Sequence, residues 1–332
     1  MNSLERTAAA LVCDGKGILA ADESVGTISK RFEALGIHSS QELRRQYREL
    51  LLGAPGIEAH VSGAILYDET IRQEASDGRR FPEVLAARGI LTGIKVDTGA
   101  KPLAGAPGET VTEGLDGLRE RIEHYRALGA AFAKWRAVLT IGSDKPTEAG
   151  IGANAHALGR YAALCQEGGL VPVVEPEILM GGDHDLACCY QVAHRVLARV
   201  FAELRANNVD LRAMILKPSM VMPGSSGPPA GVEDIAAATI GCLMDNVPAS
   251  VPGVAFLSGG QGALLATLHL DAVARSGPHP WKVTFSFGRA IQDDPLGTWR
   301  GLEANVEEAR AVLLERLEWC SAASVGAYAS GA

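Results

Sequence analysis

A closed α/β barrel, (β/α)8 of the TIM type, is the fold this sequence predicts, as a single domain over residues 1–332. Three observations predict it. Strand-like apolar runs alternate with helical patterns along nearly the whole chain, and there are eight such runs. The runs are also apolar almost throughout rather than at every second residue, as expected of parallel strands covered by helices. Eight strands are the number at which such a sheet closes. A usual barrel takes ~250 residues, so a length of 332 leaves room for an N-terminal helical extension and a short C-terminal tail. An open, doubly wound sheet is the alternative.

The strands are expected at 18–22, 64–67, 92–97, 132–139, 171–177, 214–217, 254–258 and 283–287. Between them, helices announce themselves by spacing and by their ends. Ser39 and Glu42 offer a capping box ahead of Leu43, Tyr47 and Leu50, and Gly53 closes that helix. Leu115, Leu118, Ile122 and Tyr125 repeat at three and four before Gly129, and Leu186, Tyr190, Ala193, Leu197 and Leu204 do so before Asn207. Residues 223–231, PGSSGPPAG, read as a loop after the sixth strand.

Composition narrows the function. The 31 basic and 39 acidic residues leave a net charge of −8, with no Lys/Arg block to track a nucleic-acid backbone. No apolar run approaches the ~20 residues of a membrane span, and the first residues lack a signal peptide's pattern, so a cytoplasmic protein is expected. The six cysteines have no CxxC or ligand-like spacing and are expected to be reduced, structural and buried. The eight histidines are dispersed, and Asp183-His184-Asp185 reads as a polar loop entering a helix, so neither a catalytic metal nor a cofactor is expected.

In a closed barrel the functional groups come from the carboxyl ends of several strands. This sequence puts charge there repeatedly: Asp22, Lys95 with Asp97, Lys134 with Arg136, Glu175 with Glu177, Lys217 and Arg289. Residues two apart on a strand share a face, so each pair can enter one pocket. Lys217 follows Met214-Ile215-Leu216 and precedes Pro218, so its amine emerges beside apolar packing. There desolvation and a neighbouring cation favour the neutral form, which attacks carbonyls. Lys134 is the rival nucleophile. Ser258-Gly259-Gly260 and Gly288-Arg289 follow the last two strands, the frequent phosphate site of such barrels. Ser24, Thr27, Lys30 and Arg31 follow the first strand, and Lys95 and Arg136 can join them. Two separated anion sites around a lysine and carboxylates suit a sugar bisphosphate.

These motifs together resemble the class I fructose-bisphosphate aldolases. The stretches are GILAADES at 17–24, GIKVD at 93–97, LAGAPGETVTEGLDGL at 103–118, FAKWR at 132–136, VPVVEPEIL at 171–179, LKPSMVMPG at 216–224, VPGVAFLSGGQ at 251–261 and TFSFGRA at 284–290. They stand in family order and extend the resemblance from about residue 4 to about residue 328. It implies a (β/α)8 barrel, a homotetramer, and cleavage of fructose 1,6-bisphosphate to dihydroxyacetone phosphate and glyceraldehyde 3-phosphate. It also implies an imine on Lys217, acid/base work by Glu175, charge tuning by Lys134 and Glu177, and handling of the C4 hydroxyl by Asp22. Ser258, Gly259, Gly260, Ser286, Gly288 and Arg289 would hold the C1 phosphate, and Ser24, Arg31, Lys95 and Arg136 the C6 phosphate. The chain departs from the family at Gly262-Ala263-Leu264-Leu265, where acidic residues are often seen, and at Thr98, where lysine is frequent. With Tyr328 as the last aromatic, an enamine-protonating tyrosine at the end of a tail is not expected. The competing readings are a catalytically silent barrel used as a binding scaffold, and a metal-dependent aldolase or phosphosugar isomerase.

Overall fold

The computed structural model describes residues 1–328. Eight strands form one sheet in chain order: β1 (Gly17–Ala21), β2 (Val61–Leu66), β3 (Leu91–Lys95), β4 (Phe132–Leu139), β5 (Val171–Ile178), β6 (Ile215–Leu216), β7 (Gly253–Phe256) and β8 (Lys282–Phe285). Every neighbouring pair in that order is parallel. The first and eighth strands meet at a seam where the Ala20 N–H donates to the Phe287 carbonyl at 3.0 Å. The Thr284 hydroxyl donates to the Lys16 carbonyl at 2.6 Å on the same seam. A sequential strand order with the ends joined is the barrel and not the doubly wound sheet, whose order reverses midway.

All eight expected strands are present. The sixth is the shortest, because Pro218 has no N–H to offer the ladder; the Lys217 N–H still reaches the Val174 carbonyl at 2.8 Å. Strand alternation explains how one barrel is both packed and reactive. Ile18, Ala20, Ile65, Phe132, Val171, Val173, Ile215 and Ala255 form an apolar cluster inside the barrel, joined from below by Ala8, Leu11 and Val12 of the N-terminal segment. The helix Ser3–Leu11 therefore closes the bottom of the barrel, held at its start by an Asn2/Glu5 capping box. Continuing each strand by steps of two leads from this plug to the mouth. Ile18 and Ala20 lead to Asp22, Phe132 to Lys134 and Arg136, Val171 and Val173 to Glu175 and Glu177, and Ile215 to Lys217.

Outside the strands, the larger core packs them against the helices. The helix Gln41–Leu52 buries Tyr47 and Leu50, as its spacing predicts, with Leu43 half-buried, but its cap is Ser40 rather than Ser39. Ser40 accepts from the Leu43 N–H at 3.1 Å, while Glu42 pairs with Arg45. Asp185 caps the helix Leu186–Ala206, so the Asp183-His184-Asp185 loop enters a helix as read. The helix Leu118–Ala127 begins after Leu115, because a turn through left-handed Gly117 intervenes. An antiparallel hairpin of Gly99–Pro102 and Thr110–Glu113 has no counterpart in the sequence reading. Its short polar strands are interrupted by glycine and proline, which hides their alternation. All six cysteines are free thiols; Cys13 and Cys188 are exposed rather than buried. Among the described residues no helix is long and apolar enough to cross a membrane.

The interior depends on one glycine in particular. A Cβ on Gly93 would stand 2.2 Å from the Phe132 ring, whose edge fills the space between β3 and β4. Overpacking of this kind costs about 1–3 kcal/mol. Gly93→Ala is therefore expected to lower the unfolding free energy measured in urea by that amount, and Phe132→Leu in the same chain to recover part of the loss.

Candidate active site

The carboxyl ends of the strands surround a cavity of about 550 Å³. Its walls include Asp22, Ser24, Arg31, Lys95, Lys134, Arg136, Glu175, Glu177, Lys217, Ser258, Gly259, Ser286, Gly288 and Arg289. Of the residues expected at the site, Gly260 and Asp97 are not wall residues; Asp97 is buried and pairs with Lys95 instead. Gly260 is the only one of the residues given a role by the family resemblance that lies off the walls. It adjoins the site, since a Cβ there would lie 3.3 Å from the Arg289 guanidinium.

Four buried charges form a chain across the floor. Lys217 Nζ lies 3.2 Å from Glu175 Oε1, Glu175 Oε2 lies 3.3 Å from Lys134 Nζ, and Lys134 Nζ lies 2.6 Å from Asp22 Oδ2. Each comes from a different strand, Asp22 and Lys217 just past the ends of β1 and β6 and Lys134 and Glu175 from within the longer β4 and β5, and each is at most 8% exposed. Burial alone would lower the pKa of Lys134, but the Asp22 and Glu175 carboxylates, with Asp97 beyond, outweigh it and push the ammonium well above its ordinary value. Burial would likewise raise Asp22 and Glu175, yet the Lys134 and Lys217 ammonium groups hold both below the usual carboxylate range. This separates the two candidate nucleophiles. Lys134 is clamped as an ammonium between two carboxylates and has no lone pair to offer, whereas Lys217 touches one carboxylate, the group placed to take its proton.

The two expected anion sites differ in kind. At the near end, beside β7 and β8, Gly259 and Gly260 have φ of 59° and 89°, a left-handed turn that glycine makes without strain. Gly288 precedes the helix Arg289–Trp299, whose start faces the cavity. The buried Ser286 hydroxyl has no hydrogen-bond partner, and among the described residues Arg289 has no ion pair. Unfilled donors of this kind fit a bound phosphate. At the far end three of the four predicted cations are already paired, and Lys30, exposed at the rim, has no ion pair among the described residues. Lys95 meets Asp97 at 2.6 Å, Arg136 meets Glu177, and Arg31 meets Glu23 and, at 2.8 Å, Asp293. Ser24 caps the helix Val25–Glu33, accepting from the Thr27 N–H at 3.4 Å. The hairpin braces this end, for the Thr112 hydroxyl donates to the Arg136 carbonyl at 2.7 Å.

Glu23, Arg48 and Gln292 belong to the far network and were not singled out in the sequence. Glu23 stands beside Asp22 and pairs with both Arg31 and Arg48, the latter at 2.9 Å. Its position next to a predicted site residue is the one signal that points to it. Arg48 reads as one more charged residue on an amphipathic helix, and Gln292 carries no sequence signal. Among the described residues no group of three or more His, Cys, Asp or Glu side chains is arranged to hold a metal ion.

A cavity at the mouth of the barrel, lined by buried lysines and carboxylates from several strands, is the architecture of a (β/α)8 enzyme. The comparisons with known proteins narrow this further. The family model described as fructose-bisphosphate aldolase class-I matches residues 3–332. A probable fructose-bisphosphate aldolase class 1 of Xylella fastidiosa is 51% identical over 330 residues, 99% of each chain. The cytosolic fructose-bisphosphate aldolase 5 of Arabidopsis thaliana is 48% identical over 100% of this chain and 93% of its own. Among solved structures, fructose-bisphosphate aldolase from Plasmodium falciparum, crystallised with TRAP and a small-molecule inhibitor, superposes with a TM-score of 0.97. It shares 45% identity over 99% of this chain and 95% of that one. This chain belongs to the class I fructose-bisphosphate aldolase family.

The clamp on Lys134 has a consequence for stability. Asp22 and Glu175 titrate below their unfolded values, near pH 4. Their contribution is therefore present above that range and lost as pH falls through the lower folded values. A Lys134→Met variant removes the main cation, so the folded pKa values rise toward or past the unfolded ones. Acidification from about pH 6 to about pH 3 is expected to lower the guanidinium midpoint less in the variant than in the parent chain. Equal losses would contradict the electrostatic role.

Proposed function

We propose that this chain catalyses the reversible aldol cleavage of fructose 1,6-bisphosphate to dihydroxyacetone phosphate and glyceraldehyde 3-phosphate through an imine on Lys217. The observation that carries the reading is the chain Lys217–Glu175–Lys134–Asp22, with contacts of 3.2, 3.3 and 2.6 Å. Lys217 gives up a proton and its Nζ attacks the ketose C2, with Glu175 passing protons to and from the carbinolamine oxygen until water leaves. The protonated imine is an electron sink. Asp22 takes the C4 hydroxyl proton as the C3–C4 bond breaks, glyceraldehyde 3-phosphate departs, and the bonding pair rests in an enamine. Protonation at C3 and hydrolysis of the imine then release dihydroxyacetone phosphate and restore the amine.

Lys134 supplies the fixed positive charge that keeps Asp22 and Glu175 ionised as proton acceptors, and Glu177 balances Arg136. Ser258, Gly259, Gly260, Ser286, Gly288 and Arg289 take the C1 phosphate, a role supported by the unfilled Ser286 hydroxyl. Ser24, Arg31, Lys95 and Arg136 take the C6 phosphate. A cavity of about 550 Å³ is within the usual range for such ligands. A cytoplasmic homotetramer is part of the same proposal; the cytosolic names of the Arabidopsis relatives support the location, and sedimentation of the purified chain tests the assembly.

Fructose 1,6-bisphosphate followed by borohydride is expected to inactivate the protein and leave a reduced adduct on Lys217, read by peptide mass spectrometry. Lys217→Met should neither trap substrate nor cleave it; full cleavage by that variant would overturn the mechanism. Glu175→Gln is expected to lower kcat by about 10²–10⁴-fold, the usual contribution of a placed acid/base. Activity should survive exhaustive chelation, which a metal-dependent aldolase would not. Absence of triose phosphate in a coupled assay of the folded chain would favour the silent scaffold instead.

A further inference from the structure

Arg31 stands at the far end of the cavity and Arg289 at the near end, and one buried amide connects them. Gln292 is fully buried and lies on the first turn of the helix Arg289–Trp299, where its N–H donates to the Gly288 carbonyl at 3.0 Å. It is not a wall residue of the cavity. Its side chain spans three other elements. Nε2 donates to the Ala20 carbonyl at 2.5 Å, at the end of the strand that leads to Asp22. Oε1 accepts from the Tyr47 hydroxyl at 3.1 Å and from Arg31 at 3.2 Å. The Ala20 carbonyl can only accept and the Arg31 guanidinium can only donate, so the amide has one workable orientation.

The surroundings make this junction stiff. Phe32, Tyr47 and Trp299 pack ring against ring at centroid distances of 5.5–5.9 Å, which locks together the three helices that carry Arg31, Tyr47 and Gln292. The chemistry of the amide also suits the place. Arg31 already faces two carboxylates, Glu23 and Asp293, and Glu23 is shared with Arg48. A third carboxylate would hold Arg31 away from any incoming anion. A neutral acceptor orients the guanidinium without cancelling more of its charge.

We propose that Gln292 is a positioning residue that sets where Arg31 stands relative to Gly288 and Arg289, and so sets the preference for a sugar with phosphate at both ends over one with phosphate at C1 alone. The inference rests on the assignment of Arg31 to the C6 phosphate. Gln292 acts through Arg31 and touches no substrate atom.

The test is the ratio of kcat/KM for fructose 1,6-bisphosphate to that for fructose 1-phosphate. In Gln292→Met, which keeps the length and removes the polar atoms, the ratio is expected to fall about tenfold, mainly through KM of the bisphosphate. Gln292→Glu, which adds the third carboxylate, is expected to lower it too, and serves should the methionine variant fail to fold. Adding Gln292→Met to Arg31→Ala should lower the ratio no further than Arg31→Ala alone. A Gln292 variant that lowers both substrates alike would reduce the residue to a structural one and overturn the inference. If Arg31→Ala leaves the ratio unchanged, the C6 assignment fails and the inference with it. If Arg31→Ala lowers the ratio and neither Gln292 variant does, only the inference fails.

Discussion

The ammonium of Lys134 between Asp22 and Glu175 is the contact on which the chemistry of the barrel mouth depends. Two carboxylates buried this deeply would ordinarily take up protons, because the interior solvates charge poorly. The Lys134 ammonium, within 2.6 and 3.3 Å of them and reinforced by Lys217, reverses that preference and holds both below the usual carboxylate range. With Lys217 added, the four groups sum to no net charge. The desolvation cost of each ion is then offset by a neighbour of opposite sign, and removal of any one would leave a buried charge uncompensated. Here stability and reactivity rest on the same contacts.

The fold serves this arrangement through strand parity. The apolar residues that plug the lower barrel and the charged residues that face the cavity occupy the same side of the same strands, separated only by height. A slip of one residue in any strand would send its apolar residue outward and its ion into the helix layer. The dry plug from Ala8, Leu11 and Val12 beneath, and the Phe132 ring over Gly93, therefore hold the catalytic register as well as the core.

Much of this was legible in the sequence, and the rest was not for identifiable reasons. The eight strands were visible because buried parallel strands are apolar runs with abrupt ends, and Asp22, Lys134, Glu175 and Lys217 stood out because charge at the end of such a run is costly. Local reading could not tell Lys134 from Lys217, since both are lysines on apolar strand runs; only the spatial partners distinguish them. The hairpin from Gly99 to Glu113 was hidden by its turn residues, and Ser40 displaced Ser39 as cap by one position that the motif cannot resolve. Gln292 was beyond reach altogether. A glutamine on a helix is ordinary in sequence, and its meaning comes from Ala20, Arg31 and Tyr47, all more than 240 residues earlier.

The asymmetry between the two anion sites follows from the same accounting of charge. At the near end an arriving phosphate meets the unpaired Arg289 guanidinium, the unfilled Ser286 hydroxyl and a helix start, so binding there breaks no ion pair among the described residues. At the far end Lys95, Arg136 and Arg31 are held by Asp97, Glu177, Glu23 and Asp293, and a phosphate must share those cations or displace their partners. The single cation of the near end and the three paired cations of the far end therefore do not rank the two sites by number alone. On the proposed assignment the near end grips, and the far end discriminates, because its contribution depends on how accurately each paired cation is held in reach of a second anion.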